Sequence, residues 1–505
     1  MIRCGGEPAG RPEPLDHRDA DWSGLRVLVT GLGVSGFAAA DALLEQGALV
    51  RGIDSGELDG TDLAERVRIL EVLGADLVLG DRARAALTDD PSGAEMAALL
   101  DGIDLVVTSP GWRPDSAVFR AADVAGIPIW GEVELAWRMR PEGAAPWLTI
   151  TGTNGKTTTV QMLAAILEAA GLRARAVGNV GTPIMEAVLD PEPYDVLAVE
   201  LSSFQLHWQR SLSPVASVCL NIAPDHVDWH GSYEEYVSAK GRVYTNTHVA
   251  CVYNVEDPAT EQLVRDADVI EGCRAVGFTT GMPGLSMVGL VEDVLADRAF
   301  VENRRTAAAE LGTTADLRRG SVEPPAHVIA NALAAAAVAR AAGCPPAAVR
   351  DGLAAFTPDA HRIAQVADSG GVVWIDDSKA TNAHAAHASL SAFDSVVWIA
   401  GGLLKGADVE DLVRDNASRL RGVVLIGADR ARIAQALARH APDVPVIDVA
   451  ATDTGAMAEV VRHAAGLARA GDVVLLAPAA ASMDMFRNYG ERGDHFARAV
   501  LDHLA

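Results

Sequence analysis

Basic charge is what this chain most lacks: Lys and Arg total 42 against 68 Asp and Glu, a formal net charge of −26. That balance excludes a general nucleic-acid binder, which needs a basic footprint, but leaves room for a local basic site facing a phosphorylated small molecule. Cysteine is scarce as well. The five residues (Cys4, Cys219, Cys251, Cys273 and Cys344) show no C-x-x-C spacing, so neither a zinc site nor a disulfide framework is indicated, and a reduced, cytoplasmic setting is expected. Long apolar runs are absent too: the longest, residues 328–342, is alanine-rich and carries Asn331 and Arg340. It predicts a buried helix rather than an integral membrane segment. Residues 1–23 are rich in Pro, Gly and charge without a secretory leader pattern, and a flexible extension is expected there.

Apolar residues are the abundant class, 49 % of 505, enough for several cores, and the length suits three domains. The rest is organised around residues 146–171. Trp147, Leu148 and Ile150 predict a buried strand that breaks into Gly152-Thr153-Asn154-Gly155-Lys156-Thr157. Val160, Leu163, Ala164 and Leu167 then recur at helical spacing up to Gly171. Strand, glycine loop and helix is the geometry that aims backbone N–H groups and a positive helix end at a phosphate. Lys156 adds charge for the terminal phosphates, and Thr157 a hydroxyl for Mg²⁺. The first glycine lies three residues before Gly155, whereas the standard phosphate loop has it five before. ATP is the expected ligand.

Upstream, residues 25–30 form an apolar strand entering Gly31-Leu32-Gly33-Val34-Ser35-Gly36 and an alanine-rich helix, with Asp54 after the next strand, residues 49–53. G-x-G-x-x-G in that setting brings a diphosphate close to a helix N-terminus. Taken alone it suits a nicotinamide dehydrogenase, but any nucleotide diphosphate would do, a UDP-sugar included. Residues 104–108 predict another strand, and Ser109-Pro110-Gly111 turns at its carboxyl end, where α/β sheets place ligands.

Beyond the central loop, residues 195–199 predict a strand ending at Glu200, a position where such folds hold the Mg²⁺ of a nucleotide. Residues 217–222 predict a second, leading into Asp225-His226-Val227-Asp228-Trp229-His230. There His226 can ligate a metal through a neutral imidazole nitrogen. The helix opened by Ser232 carries Lys240, by residue chemistry an ordinary helix lysine. Residues 279–325 are weakly patterned and read as excursions at a domain edge. After a hinge at residues 356–358, apolar strands (372–375, 395–400, 423–426, 444–449 and 473–477) alternate with helical patterns. The expected class is α/β with three domains: Rossmann-like over residues 24–143, P-loop ATPase-like over 144–357, and doubly wound α/β over 358–505.

The run Thr151-Gly152-Thr153-Asn154-Gly155-Lys156-Thr157-Thr158-Thr159 resembles the ATP loop of the Mur ligases and folylpolyglutamate synthases, which use ATP to join an amino acid to a carboxylate. The run Asp376-Asp377-Ser378-Lys379-Ala380-Thr381-Asn382 resembles the C-terminal signature of the D-glutamate-adding Mur ligases. The D-N-P-R run of the diaminopimelate- or lysine-adding members is absent from the chain. The resemblance covers nearly everything after residue 24. It implies that UDP-N-acetylmuramoyl-L-alanine and D-glutamate are the substrates of a monomeric enzyme of peptidoglycan precursor synthesis. It places the UDP-substrate on Gly33, Val34, Ser35, Asp54, Ser55, Ser109, Pro110, Gly111 and Asn179. ATP falls to residues 152–157 with Thr158, Asn331 and Asp377, and to Arg362 when the domains close. Two Mg²⁺ ions are implied on Thr157, Glu200, His226 and a CO₂-derived carbamate of Lys240. D-glutamate falls to Thr381, Lys405, Ser482, Met483 and Tyr489, and catalysis to Lys156, His226, Lys240 and Lys379. In Gly401-Gly402-Leu403-Leu404-Lys405 the two leucines replace more polar residues expected of the family.

Overall fold

The protein, a computed structural model, is described over residues 6, 8, 14–57, 61–87, 93–179, 181–318, 323–451 and 453–505. It builds three sheets and divides into two compact units, residues 1–312 with 331–355 and residues 313–330 with 356–505. The first two sheets belong to the first unit, apart from Thr313 at the end of one edge strand.

The first sheet has five strands in the order Asp76–Leu79, Leu49–Asp54, Arg26–Thr30, Leu105–Thr108, Ile129–Gly131, all paired in parallel. The Val/Leu runs are continuous rather than alternating because helices cover both faces of such a sheet. Strand order reverses on either side of Arg26–Thr30. A crevice therefore opens at its carboxyl end, where the first glycine loop emerges.

The central sheet has nine strands, and Trp147–Thr151 lies between Val196–Glu200 and Ala216–Cys219, parallel to both. The helix after the loop is Lys156–Ala169, and Gly171 at φ +83° closes it with its N–H on Glu168 O, a left-handed glycine stop. Residues 279–325 are more regular than expected. They contain strands Met287–Val291, Val294–Asp297 and Ala309–Thr313, which extend this sheet at one edge. Each is five residues or fewer, too short for a two-residue period to stand out. The alanine-rich helix is Ala326–Ala341, with residues 331–339 buried.

The third sheet runs Ala364–Ser369, Val372–Asp376, Val473–Leu476, Val396–Gly401, Leu420–Ile426, Val446–Asp448. Only its first pair is antiparallel. The five expected strands are present; Ala364–Ser369 was not foreseen. It joins its neighbour through Gly370-Gly371, both at positive φ, the backbone signature of a tight hairpin.

The expectation of a flexible extension over residues 1–23 needs correction from residue 14 onward. Leu15 and Trp22 are each 1 % exposed. Arg138 Nη1 donates to Leu15 O at 3.3 Å, and Arg18 N to Arg140 O at 3.0 Å. The apolar area of a Trp and a Leu outweighs the polar composition around them. Residues 1–5, 7 and 9–13 lie outside the described residues. Among the described residues no helix is long and apolar enough to cross a membrane.

Candidate active site

At the first glycine loop, backbone geometry explains Gly31 and Gly36. Gly31 takes φ +79°, and a Cβ on Gly36 would lie 1.7 Å from Gly31 O, so loop and helix meet where only a hydrogen fits. Ser109 Oγ donates to Gly31 O at 2.8 Å, tying the two strand ends together. Between them opens a cavity of about 600 Å³ lined by Gly33, Val34, Ser35, Ser55, Ser109, Pro110 and Gly111, together with Gly31, Leu87 and Trp112. Asp54 is placed differently from its expected partners. Its carboxylate accepts from Leu32 N at 2.7 Å and Gly56 N at 2.8 Å, shaping the loop rather than lining the cavity. Asn179 is also elsewhere, with its Nδ2 donating to Glu200 Oε1 at 2.9 Å.

The second loop is held from below. Thr153 Oγ1 shares a hydrogen bond of 2.7 Å with Tyr236 OH and accepts from Ala223 N at 2.9 Å. Asn221 Oδ1 accepts from Asn154 N at 2.9 Å, and its Nδ2 donates back to Asn154 O at 3.1 Å. Gly155, at φ +83°, has no room for a side chain: a Cβ would meet Asn331 Oδ1 at 2.4 Å. That contact sets Asn331, 7 % exposed, against the loop it was expected to serve.

Two amines converge here. Lys156 Nζ donates to Gly152 O and Thr153 O, both at 3.0 Å. Lys240 Nζ reaches the same Gly152 O at 2.8 Å and Thr151 Oγ1 at 3.4 Å. Lys240 is 2 % exposed; burial, reinforced by the charge of Lys156, pulls its amine down to about 7. His226, at φ +51°, stands with Nε2 3.5 Å from Asp225 Oδ2 and its ring 4.7 Å from Phe204. Burial lowers its pKa, Asp225 opposes that, and Lys156 and Lys240 push it down further, leaving a neutral imidazole able to ligate.

Glu200 is 1 % exposed, and its Oε2 has no hydrogen-bond partner among the described residues. A buried carboxylate oxygen without a donor is costly, and an anionic oxygen is the donor that a hard divalent cation takes. Thr157 lies in the first turn of the helix that follows the loop. This donor chemistry fits Mg²⁺. Among the described residues no three His, Cys, Asp or Glu side chains form a ready-made metal cluster. The expected set instead draws on a hydroxyl and a modified lysine.

The second unit carries the remaining expected residues and, Arg362 apart, places them on the segments that follow Val372–Asp376, Val396–Gly401 and Val473–Leu476. Asp377 accepts from Ile363 N at 3.3 Å and from Ser389 Oγ, and burial raises its carboxyl to about 6. Lys379 Nζ lies 3.9 Å from the Tyr489 ring centroid, a cation–π contact. Thr381 N donates to Lys379 O at 2.8 Å. Arg362 is close enough to Asp377 to favour its ionised form. Ser482 is 4 % exposed and Met483 62 %. The Leu403-Leu404 departure has a structural reason: Leu404 is buried in the core of this unit, and Leu403 pairs with Ala481. The loop carrying Lys405 (φ +49°) is thereby strapped to the loop carrying Ser482.

Sequence reasoning missed four residues that hold this apparatus. Asn221 and Tyr236 grip the second loop, as described. Arg492, 1 % exposed, donates to Ser378 Oγ at 2.9 Å, Ser378 O at 2.8 Å and Ala480 O at 3.1 Å. His361 Nδ1 bonds Asp376 Oδ2 at 2.6 Å, which raises the imidazole's pKa. No local spacing marks any of them. A compositional signal does exist for Lys240: the chain has only four lysines, at 156, 240, 379 and 405. Arginine supplies the other 38 of the 42 Lys and Arg side chains, and lysine differs from it in its compact charge and readily deprotonated amine.

Residues 150–339 match the Mur ligase middle domain, and residues 361–480 the Mur ligase, glutamate ligase domain. The chain is 61 % identical to the UDP-N-acetylmuramoylalanine–D-glutamate ligase of Streptomyces avermitilis, over 95 % of this chain and 98 % of that one. It is 57 % identical to the enzyme of that name from Thermobifida fusca, over 94 % and 98 %. The fold is similar to that of a pseudomurein peptide ligase type C from Methanothermus fervidus (TM-score 0.55, 18 % identity, 95 % of this chain and 100 % of that one). It is also similar to the UDP-N-acetylmuramate–alanine ligase of Thermotoga maritima (TM-score 0.52, 18 % identity, 95 % and 99 %). The chain belongs to the Mur ligase family.

Proposed function

We propose that this enzyme joins D-glutamate to the L-alanyl carboxylate of UDP-N-acetylmuramoyl-L-alanine, converting ATP to ADP and phosphate, in peptidoglycan precursor synthesis. The observation that carries the reading is the convergence of Lys156 and Lys240 on Gly152 O at the head of the ATP loop. Two amines aimed at one point make a centre that needs anionic oxygen to neutralise it. The names of the relatives support the acceptor and the amino acid.

The three-domain division at residues 24–143, 144–357 and 358–505 assigns one substrate to each part. Gly33, Val34, Ser35, Ser55 and residues 109–111 cradle the UDP group, with Asp54 fixing the loop and Asn179 acting near the acceptor. Residues 152–158 and Asn331 hold ATP, with Asp377 and Arg362 as its further contacts. Transfer of the γ-phosphoryl group to the alanyl carboxylate forms an acyl phosphate. Lys156 neutralises charge on the moving group, because positioning and electrostatics dominate such transfers. Thr157, Glu200, His226 and Lys240 as its carbamate would hold Mg²⁺, which when bound neutralises charge between the phosphates. Lys240 suits carbamate formation because an amine near 7 is substantially neutral at physiological pH and so nucleophilic towards CO₂. The D-glutamate amine then attacks the acyl carbon, and phosphate leaves from the tetrahedral adduct. Thr381, Lys405, Ser482, the backbone of Met483 and Tyr489 orient D-glutamate, and Lys379 faces the departing phosphate. The reading makes the enzyme a cytoplasmic monomer.

Phosphate release from ATP with UDP-N-acetylmuramoyl-L-alanine, comparing D-glutamate with L-glutamate, L-lysine and meso-diaminopimelate, tests this directly. Release with D-glutamate alone is expected. Release with another amino acid instead would overturn the assignment of the acceptor's partner.

A further inference from the structure

Two cysteines far apart in sequence are neighbours in space. Cys251, 2 % exposed, lies in strand Ala250–Asn254, and Cys273, partly exposed, immediately precedes the parallel strand Arg274–Phe278. The register sets Cys251 opposite Ala275, so Cys273 lies two residues back on the same face of the sheet. The sulfur atoms are 3.7 Å apart. We propose that Cys251 and Cys273 form a reversible disulfide when the protein meets a peroxide, with Cys273 as the attacking thiol and Cys251 as the resolving one.

The two thiols are not equivalent. The hydrogen bond between the two sulfurs is the largest cause that pulls Cys273 down to about 7, and the same bond, with burial, pushes Cys251 up. The more accessible of the two cysteines is therefore the one that ionises, and thiolate character with access decides which cysteine a peroxide oxidises. Cys219 and Cys344 are buried, and burial raises both, Cys219 to about 12. They are internal controls.

The chemistry balances. The Cys273 thiolate attacks one peroxide oxygen, the O–O bond breaks, and the departing hydroxide takes up a proton as water, leaving a sulfenic acid. Cys251, giving up its proton, attacks the Cys273 sulfur, and the sulfenic hydroxyl leaves with that proton as a second water. Two thiols are oxidised to one disulfide and one hydrogen peroxide is reduced to two waters. The sulfur atoms must close from 3.7 Å to a bond of about 2.0 Å; diagonal neighbours on paired strands stand about 7–8 Å apart at the backbone, so the closure also draws in Cys273, which lies just outside the strand. Because Cys251 waits beside it, the sulfenic acid is captured before a second peroxide can carry it to the irreversible sulfinic state.

The test treats the full-length native protein with hydrogen peroxide, alkylates the remaining thiols, and maps peptides by mass spectrometry without reduction. The expected result is a peptide pair linked through Cys251 and Cys273, two hydrogens lighter than the thiols and released by dithiothreitol. Cys273 should lose its alkylation at least about tenfold faster than Cys219 or Cys344. In Cys251→Ser no link forms, and Cys273 is trapped by dimedone as the sulfenic acid and then passes to sulfinic acid. Sulfinic acid at Cys273 of the unmutated protein without any link would overturn the proposal. So would both thiols remaining fully alkylatable under peroxide.

Discussion

At residue 31 a buried parallel strand ends in a glycine turn that opens into a helix, and at residue 152 the same succession recurs. Each helix end points its first N–H groups toward the place a phosphate would take. The difference lies in what stands around the turn. The first has an acid, Asp54, accepting from Leu32 N and Gly56 N, and it faces a cavity of about 600 Å³ whose lining includes no lysine. The second has Lys156 and Lys240 meeting at Gly152 O, with Asn221 and Tyr236 holding the turn rigid. Backbone N–H groups suffice to dock a diphosphate that stays intact. Moving a phosphoryl group needs added positive charge in a fixed place. On the proposed reading, one backbone device serves binding in one sheet and chemistry in the next, and the surrounding side chains set the role.

The sharpest way to break the comparison is Lys156→Ala. ATP-dependent phosphate release should fall by roughly 10²- to 10³-fold or more, while calorimetry shows unchanged binding of UDP-N-acetylmuramoyl-L-alanine. Near-normal turnover would mean that the second loop is not the ATP loop. Lys240→Ala should be inactive for a different reason and regain part of its activity with a small exogenous carboxylate. A folded, ATP-binding variant that cannot be rescued would count against the carbamate. The same residue predicts a pH profile: its amine, lowered to about 7, is protonated as pH falls below that value, so activity at fixed dissolved CO₂ should decline on the acid side and hold above it.

Gly36→Ala probes the first loop, where a Cβ would sit 1.7 Å from Gly31 O. The KM for the UDP-substrate should rise by roughly tenfold or more, with ATP binding retained; equal losses for both nucleotides would erase the distinction between the loops. The smallest effect belongs to neither loop. His361, its pKa raised by Asp376, contributes stability that is fully present below the unfolded histidine value and is lost as pH rises through the folded one. The Tm of the protein should therefore drop slightly on going from pH 6 to pH 8, and His361→Gln should remove that slope.

Both glycine loops were legible in the sequence because their constraints are local: a strand, a turn only glycine can make, and a helix. The doubly wound third sheet was legible for the same reason, through continuous apolar runs such as residues 396–400. What escaped was whatever depends on distant partners. Tyr236 matters through Thr153 and Arg492 through Ser378 and Ala480, separations that no periodicity encodes. The resemblance sets Asp54 on the UDP-substrate; the backbone donors its carboxylate takes lie at Leu32 and Gly56, and the first of these appears only when the sheet is assembled. Residues 14–22 were misjudged because composition averages over Leu15 and Trp22, the two side chains that anchor them.

The division of labour between the loops is tested most directly by photoaffinity labelling of the unmutated enzyme with 5-azido-UDP and, separately, 8-azido-ATP, followed by peptide mapping. The account predicts that the uridine probe marks peptides around residues 31–36 and 109–112 and is displaced by the UDP-substrate but not by ATP. It predicts that the adenosine probe marks peptides around Asn331 and is displaced by ATP alone. Both probes marking the same loop, or each marking the other's, would contradict it.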